Sequence, residues 1–406
     1  MERPKLSGFR DISQNRPDRV VRVGPADNED AGSDGGVGGA EATRPGAGSA
    51  EKEGNQNEDR PGSWEKGLGL YDEGNRKQAR QATAQAAIQE RSFAAPRGSD
   101  TLYLYDSERG IYTPNGAEIL EDMLLEKLGS YHTTGEVRQI EAKVKALSRI
   151  EGFGSAKAIP LANGDLTVGS PKLKVPDSPR PFLARSAARW DPSADCPTFR
   201  QLLKNGVHSE TGRRALQEYA GYCLAHWARP YRKVLMAAGP DGSGWRLVLQ
   251  AISSLMPWRE SVSPKRVAKG RSASQLVGPY VNISAGISPS TLPELPFMAP
   301  LSEEEPAHGS SLGPQASGDR PPVARGPAKH IYGASELPPI SAPDAFYRRL
   351  LFVPFPNRLP PEDRGPDTAQ QLKKEQDGIL QWAIEGLHRL IEQGGFSVGR
   401  SPKVTR

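Results

Sequence analysis

The chain has 406 residues, only 36% of them hydrophobic, with 43 glycines and 37 prolines. That apolar supply is too dilute for one compact body of this length, so a long disordered fraction is expected beside a globular region. The formal net charge of +5, from 53 basic and 48 acidic residues, mildly favours a polyanionic partner without specifying one. Cys196 and Cys223 stand beside apolar or aromatic residues and read as buried thiols of a reducing compartment. With six scattered histidines, they exclude a disulfide framework and a zinc site. No stretch approaches the roughly 18 apolar residues of a membrane span. The N-terminus also lacks the apolar core of a signal peptide, so a cytoplasmic protein with no membrane partner is expected.

Residues 1–100 are rich in Gly, Pro, Asp, Glu, Arg and Ala, and the tract 27–62 has almost nothing to bury. The region is expected to be a mostly disordered tail. Within it, residues 74–91 hold good helix formers but few large apolar side chains. They read as a solvated helix, as one that orders only on a partner, or as plain flexible chain. Order is expected from Thr101. Leu102–Tyr105 and Gly110–Thr113 read as short strands joined by a polar turn. Ile119, Leu120, Met123, Leu124 and Leu128 mark one helix, and Val137, Ile140, Val144, Leu147 and Ile150 a second. LANGDLTV (161–168) carries an Asn-Gly hairpin signal. Five prolines in 170–198 predict extended covering chain.

Helix is predicted again over 210–228, where Leu216, Tyr219, Ala220, Cys223, Leu224 and Trp227 share a face and Pro230 ends it. The stretch the chain is organised around follows, KVLMAAGPDGSGWRLVLQAISSLM (233–256). An apolar run, Val234 to Ala238, meets a turn at Gly239, Gly242 and Gly244, and then a helical pattern of Leu247, Val248, Ala251, Ile252 and Leu255. Strand, tight loop and helix are the setting of a phosphate-binding loop, because the helix start offers free N–H groups and the positive end of a dipole. The working loop also needs a lysine and a serine or threonine. Trp245 and Arg246 stand in those places. The bland alternative is a tight strand-to-helix turn. Residues 276–287 read as a neighbouring strand, and 293–329 as a low-complexity insertion unusual inside a compact domain. HIYGAS (330–335) and LLFVPF (350–355) read as strands. Residues 368–392 form the clearest helix, ended by Gly394–Gly395.

LYLYDSERGIYTPNG, LANGDLTV with WDPSADCPTFRQLL, QEYAGYCL before KVLMAAGPDGSGWR, and ASELPPISAPDAFYRRLLFVPFPN with GILQWAIEGLHRLIEQGGF occur in one order over most of 300 residues. In this the chain resembles the C-terminal module of phage and plasmid primases, which pairs a small helical domain with a superfamily 3 helicase. The resemblance implies an α/β, AAA+-like P-loop ATPase core at 201–400. A small helical domain and linker at 101–200 would precede it. It also implies DNA replication, ATP and magnesium as cofactors, DNA as a partner and assembly into a ring.

This chain departs from the family at its chemistry. The lysine and hydroxyl places hold Trp245 and Arg246, the acidic pair is replaced by Ala285–Gly286, and the sensing asparagine corresponds to Ser335. Arg348 and Arg349 remain where the family supplies an arginine finger to a neighbour's site; the alternative is a solvated charge pair. Arg259, Lys265, Arg266, Lys269 and Arg271 form a basic run that reads as a solvent face or as a contact to DNA backbone. Phosphoryl transfer consists of positioning and electrostatic stabilisation, so loss of these groups predicts no effective ATP hydrolysis. The expected function is a replication helicase module without turnover. The alternatives are a noncatalytic DNA-binding or ring-assembly partner of an intact homologue, and a prophage remnant. No metal site is expected from the residues present.

Overall fold

The computed structural model describes residues 63–154, 157–168, 172–175, 178–226, 231, 233–268, 276, 278–287, 328–336 and 348–397. Regular structure starts well before Thr101, so the expected tail is corrected over 63–100, while 1–62 lie outside the described residues. Helices α1 (Trp64–Asp72) and α2 (Arg76–Glu90) pack on each other, and strand β1 (Phe93–Pro96) follows. The buried face of α2 consists of Ala79, Ala82, Thr83, Ala84, Ala86 and Ala87. Side chains this small let backbones approach, and a Cβ on Gly67 of α1 would fall 2.7 Å from Thr83 Oγ1. No large apolar stripe announces such a face.

One buried carboxylate secures this pair to the next helices. Glu136, in α4 (Thr134–Leu147), accepts from Tyr71 Oη at 3.0 Å and from Arg80 Nε and Nη2 at 2.7 Å each. Its bonds to Arg80 hold its carboxyl below the usual value of 4.5. A charge this buried is tolerated because it is fully paired. Strands β2 (Tyr103–Asp106) and β3 (Ile111–Thr113) appear where the alternation places them, as does α3 (Gly116–Leu128). The second predicted helix stops at Leu147, and β4 (Arg149–Ile150) pairs in parallel with β1, closing a sheet of order β3-β2-β1-β4. The Asn-Gly hairpin forms from β5 (Ala158–Leu161) and β6 (Gly164–Thr167), with β7 (Leu173–Lys174) alongside. Arg185 ion-pairs with the buried Asp165 of β6 and donates to the carbonyl of Gly110 at 3.3 Å, tying the two small sheets together.

The remaining elements are α5 (Pro197–Gly206), α6 (Glu210–Leu224), β8 (Val234–Ala238), α7 (Trp245–Ser254), β9 (Arg259–Glu260), α8 (Pro264–Ala268), β10 (Val281–Ala285), β11 (Lys329–Ala334), β12 (Leu350–Pro354), α9 (Pro366–Lys374) and α10 (Gln376–Gln393). The five strands make one parallel sheet of order β12-β8-β11-β10-β9. Val234 and Met236 join one apolar cluster, while Leu235 and Ala237 join another. Both faces of β8 are therefore covered, which is why parallel strands read as continuous apolar runs rather than alternation. The architecture is mixed α/β, in line with the expected class.

Helix α10 lies against α6 at backbone distance. A Cβ on Gly221 would fall 2.2 Å from the Ala383 carbonyl oxygen, and one on Gly386 would fall 2.4 Å from that of Gln217. The single helix expected over 368–392 is divided at Glu375. That carboxylate accepts from the backbone N–H groups of Thr198 and Phe199 at 3.1 and 3.0 Å, satisfying the first turn of α5. The expected insertion at 293–329 lies outside the described residues except for its end, where Lys329 opens β11. Its ammonium donates to the carbonyl of Ala225 at 2.8 Å and to that of Tyr222. Cys196 and Cys223 are buried, and burial pushes both thiols up to about 12. Among the described residues no helix is long and apolar enough to cross a membrane, and no group of three or more His, Cys, Asp or Glu could hold a metal ion.

Candidate functional site

β8 is flanked by β11 and β12, both later in the chain, whereas the next strand in sequence, β9, sits at the far edge. Strand order therefore reverses at β8, and in open parallel sheets ligand crevices form at the carboxyl end of such a strand. The glycine turn stands at that end. Gly242 and Gly244 have φ of 85° and 84°, a left-handed backbone that side chains rarely adopt. Gly244 is the N-cap of α7 and makes no side-chain cap hydrogen bond there. The sequence-predicted strand, loop and helix are thus all present in order.

The loop is filled by its own helix. Trp245 is 1% exposed, and its indole N–H donates to the carbonyl of Gly239 at 3.0 Å, bridging the ends of the turn. The ring lies on β11, where a Cβ on Gly333 would fall 2.2 Å from it. Arg246 stacks its guanidinium 4.3 Å above the Trp245 ring and reaches Asp241 Oδ1 at 3.3 Å. A Cβ on Gly286 would lie 3.1 Å from the same guanidinium, so Arg246 stretches toward the end of β10. The Ser243 hydroxyl is fully buried with no hydrogen-bond partner among the described residues.

A segment that sequence reasoning did not single out covers the loop from above. After β12 the Phe355 N–H donates to the Ala238 carbonyl at 2.7 Å, and the Leu359 N–H donates to that of Gly242 at 2.8 Å. A Cβ on Gly239 would strike the Phe355 carbonyl oxygen at 2.0 Å, one on Gly242 would strike Arg364 at 2.4 Å, and one on Gly244 would strike Leu359 at 2.4 Å. At Gly239 the obstacle is backbone, so close packing itself requires glycine, whereas Gly242 and Gly244 meet side chains and are required first by their left-handed backbone. The run Phe355 to Arg364 lies more than a hundred residues from the loop, and no local pattern links the two.

The other predicted positions divide between the two ends of the sheet. Ala285 and Gly286 end β10 and present no carboxylate beside the loop. Ser335, half-buried, follows β11 next to Gly239, whose N–H donates to the Ala334 carbonyl at 3.2 Å. Arg348 and Arg349 precede β12, whose Leu350 pairs with Val234 at the start of β8. They stand at the amino end of the sheet, about 16 Å of strand away from this chain's loop. Lys265 and Arg266 are exposed on α8, and Lys269 and Arg271 lie outside the described residues.

No family model matches the chain, and no curated protein matches it. Among solved structures it is similar to the A form apo structure of the NrS-1 C-terminal region, at 9% identity and a TM-score of 0.51, over 76% of this chain and 73% of that one. A second structure of that region gives 9% identity and 0.49 over 82% and 75%. A structure titled as the active helicase Cch of SCCmec type IV gives 12% and 0.39 over 74% and 62%. The first of these comparisons establishes a shared fold across three quarters of the chain.

Proposed function

We propose that this chain is a replication-associated, helicase-like module, related by descent to the C-terminal modules of phage and plasmid primases, whose ATPase no longer turns over. In this reading residues 201–400 are the AAA+-like domain, and 63–200 form the smaller domain and linker before it. The collinear motifs and the shared fold support the descent. The observation that carries the loss of activity is Trp245, buried across the glycine turn and bonded to Gly239.

The residues present do not fit a magnesium triphosphate. The lysine position is an indole packed on Gly333, the hydroxyl position is a guanidinium stacked on that indole, and β10 ends without a carboxylate. One missing donor in a preorganised site costs on the order of 10²–10³ in rate. Several are missing here, so the frame persists without its chemistry. Calorimetry with ATP and magnesium tests this directly. Wild type is expected to release no binding heat, while Trp245→Lys/Arg246→Ser is expected to gain it. Tight binding by wild type, or ATP-dependent unwinding lost on Arg348→Ala, would overturn the reading.

A second reading, a noncatalytic partner within a mixed ring, is favoured by one placement. Arg348 is exposed at the sheet end opposite its own loop, which in this reading leaves it available to a neighbour's site rather than its own. Cross-linking with an intact homologue that becomes less active on Arg348→Ala would support it. A persistent monomer alone and in the mixture would sink it.

A further inference from the structure

Beside the covered loop, the molecule has a cleft of about 630 Å³ that nothing above uses. One wall is the junction of α5 and α6, with Lys204, Asn205 and His208. The other is the segment after β12, Pro356 to Pro360, with Asn357 and Arg358. Asn357 ties the walls together, its amide donating to the Asn205 carbonyl at 3.2 Å and to His208 Nε2. The Leu359 N–H bond to Gly242 anchors the second wall. Lys204, His208 and Arg358 are exposed, and neither Lys204 nor Arg358 has a hydrogen-bond or ion-pair partner among the described residues. No carboxylate lines the cleft; the acid behind it, Asp363, accepts from Asn205 at 3.2 Å.

Two cations on opposite walls of a polar groove, without counter-charges among the described residues, call for an anion. The lining also indicates its form. Pockets for small molecules are mostly apolar and enclose the ligand, whereas here only Leu359 and prolines interrupt a polar, exposed surface. The one aromatic ring in the lining is the exposed His208, held in place by Asn357. A basic groove that tracks the backbone, with an aromatic ring for a base to stack on, is how single strands are held independently of sequence. We propose that this cleft takes the phosphodiester backbone of single-stranded nucleic acid, with Lys204 and Arg358 as its phosphate contacts. The inference rests on the replication-associated reading for the presence of such a strand. It assigns the contact to a different surface from the basic run on α8.

The test is fluorescence anisotropy of a labelled oligothymidylate, titrated with the full chain across about 50 to 200 mM salt. Each phosphate contact on a single strand contributes about 0.7 to the slope of log affinity against log salt, so Lys204→Glu/Arg358→Glu is expected to flatten it by about 1.4. Affinity at low salt should fall roughly tenfold or more. Lys204→Arg/Arg358→Lys should retain binding. Both cleft side chains are exposed and unbonded, so the thermal melt should not move. If it does, Lys204→Gln/Arg358→Gln carries the same test. Wild type without affinity for the strand would remove the replication reading and the cleft together. Wild-type affinity and slope in the charge-reversed variant would remove the cleft alone. ATP heat released by wild type, against expectation, and lost in that variant with strand affinity intact would assign the cleft to a nucleotide and overturn the inference.

Discussion

The two ends of the parallel sheet make opposite use of their residues. At the carboxyl end, glycines at 239, 242 and 244 bring backbone against the Phe355 carbonyl and the side chains of Arg364 and Leu359, and Trp245 fills what remains. At the amino end, Arg348 is exposed beside Lys233, which donates to the Arg348 carbonyl. A glycine pattern that resembles a phosphate cradle therefore serves here as a packing surface, and Arg348 and Arg349 lie at the opposite end of the sheet. Glycine spacing specifies how closely something approaches the backbone. It does not say whether that something is a ligand or the protein itself.

Substitutions at the two ends should differ in kind. The largest effect is expected from Trp245→Ala, which empties a fully buried site and should cost about 3–5 kcal/mol in urea unfolding. A loss under about 1 kcal/mol would mean the ring is not structural. Gly239→Ala comes next. Its Cβ would meet the Phe355 carbonyl oxygen, and overpacking of this sort costs about 1–3 kcal/mol. A neutral result would show that the covering segment lifts away readily and would reopen the loop as a ligand site.

The amino end should respond to pH instead. Burial lowers the Lys233 pKa from its usual 10.5. The unfolded chain therefore holds that proton to higher pH than the folded one. The charge costs stability below the lowered value, and the cost disappears as pH rises through the usual lysine range. Wild type minus Lys233→Met should accordingly show a stability difference that shifts in favour of wild type on going from pH 7 to alkaline pH. A flat difference would refute the burial argument. The smallest effect is expected from Arg348→Ala, within about 0.5 kcal/mol for an exposed side chain. A larger loss would mean that the residue is held within its own chain.

Much of the fold was legible because its signals are local. The five-residue apolar run of β8, the glycine turn after it and the 3.6-residue periodicity of α6 and α10 each lie within a short window. The Asn-Gly hairpin and strands β2 and β3 are read in the same way. Residues 63–100 were not legible as folded chain, since α2 buries alanines, which carry no apolar contrast. Their anchor, Glu136, is some sixty residues away. The break at Glu375 was hidden for a related reason, because its carboxylate serves the first turn of α5 rather than its own helix. At the site, Trp245 and Arg246 could be identified as substitutions, but not where their side chains would go.

Composition, periodicity and turn chemistry by themselves determined an α/β chain with a strand, glycine turn and helix at 234–254, and a loop lacking its lysine and hydroxyl. Only the tertiary structure decided that the loop is full. Whether an inward indole finds room depends on Gly333 in another strand, and whether glycine faces solvent or protein depends on Phe355 to Arg364, a segment brought over it by the sheet order. Backbone conformation is set by neighbours in sequence, whereas the occupancy of a concavity is set by neighbours in space. The same holds for the cleft of Lys204 and Arg358, whose two charges are paired across a groove by folding alone.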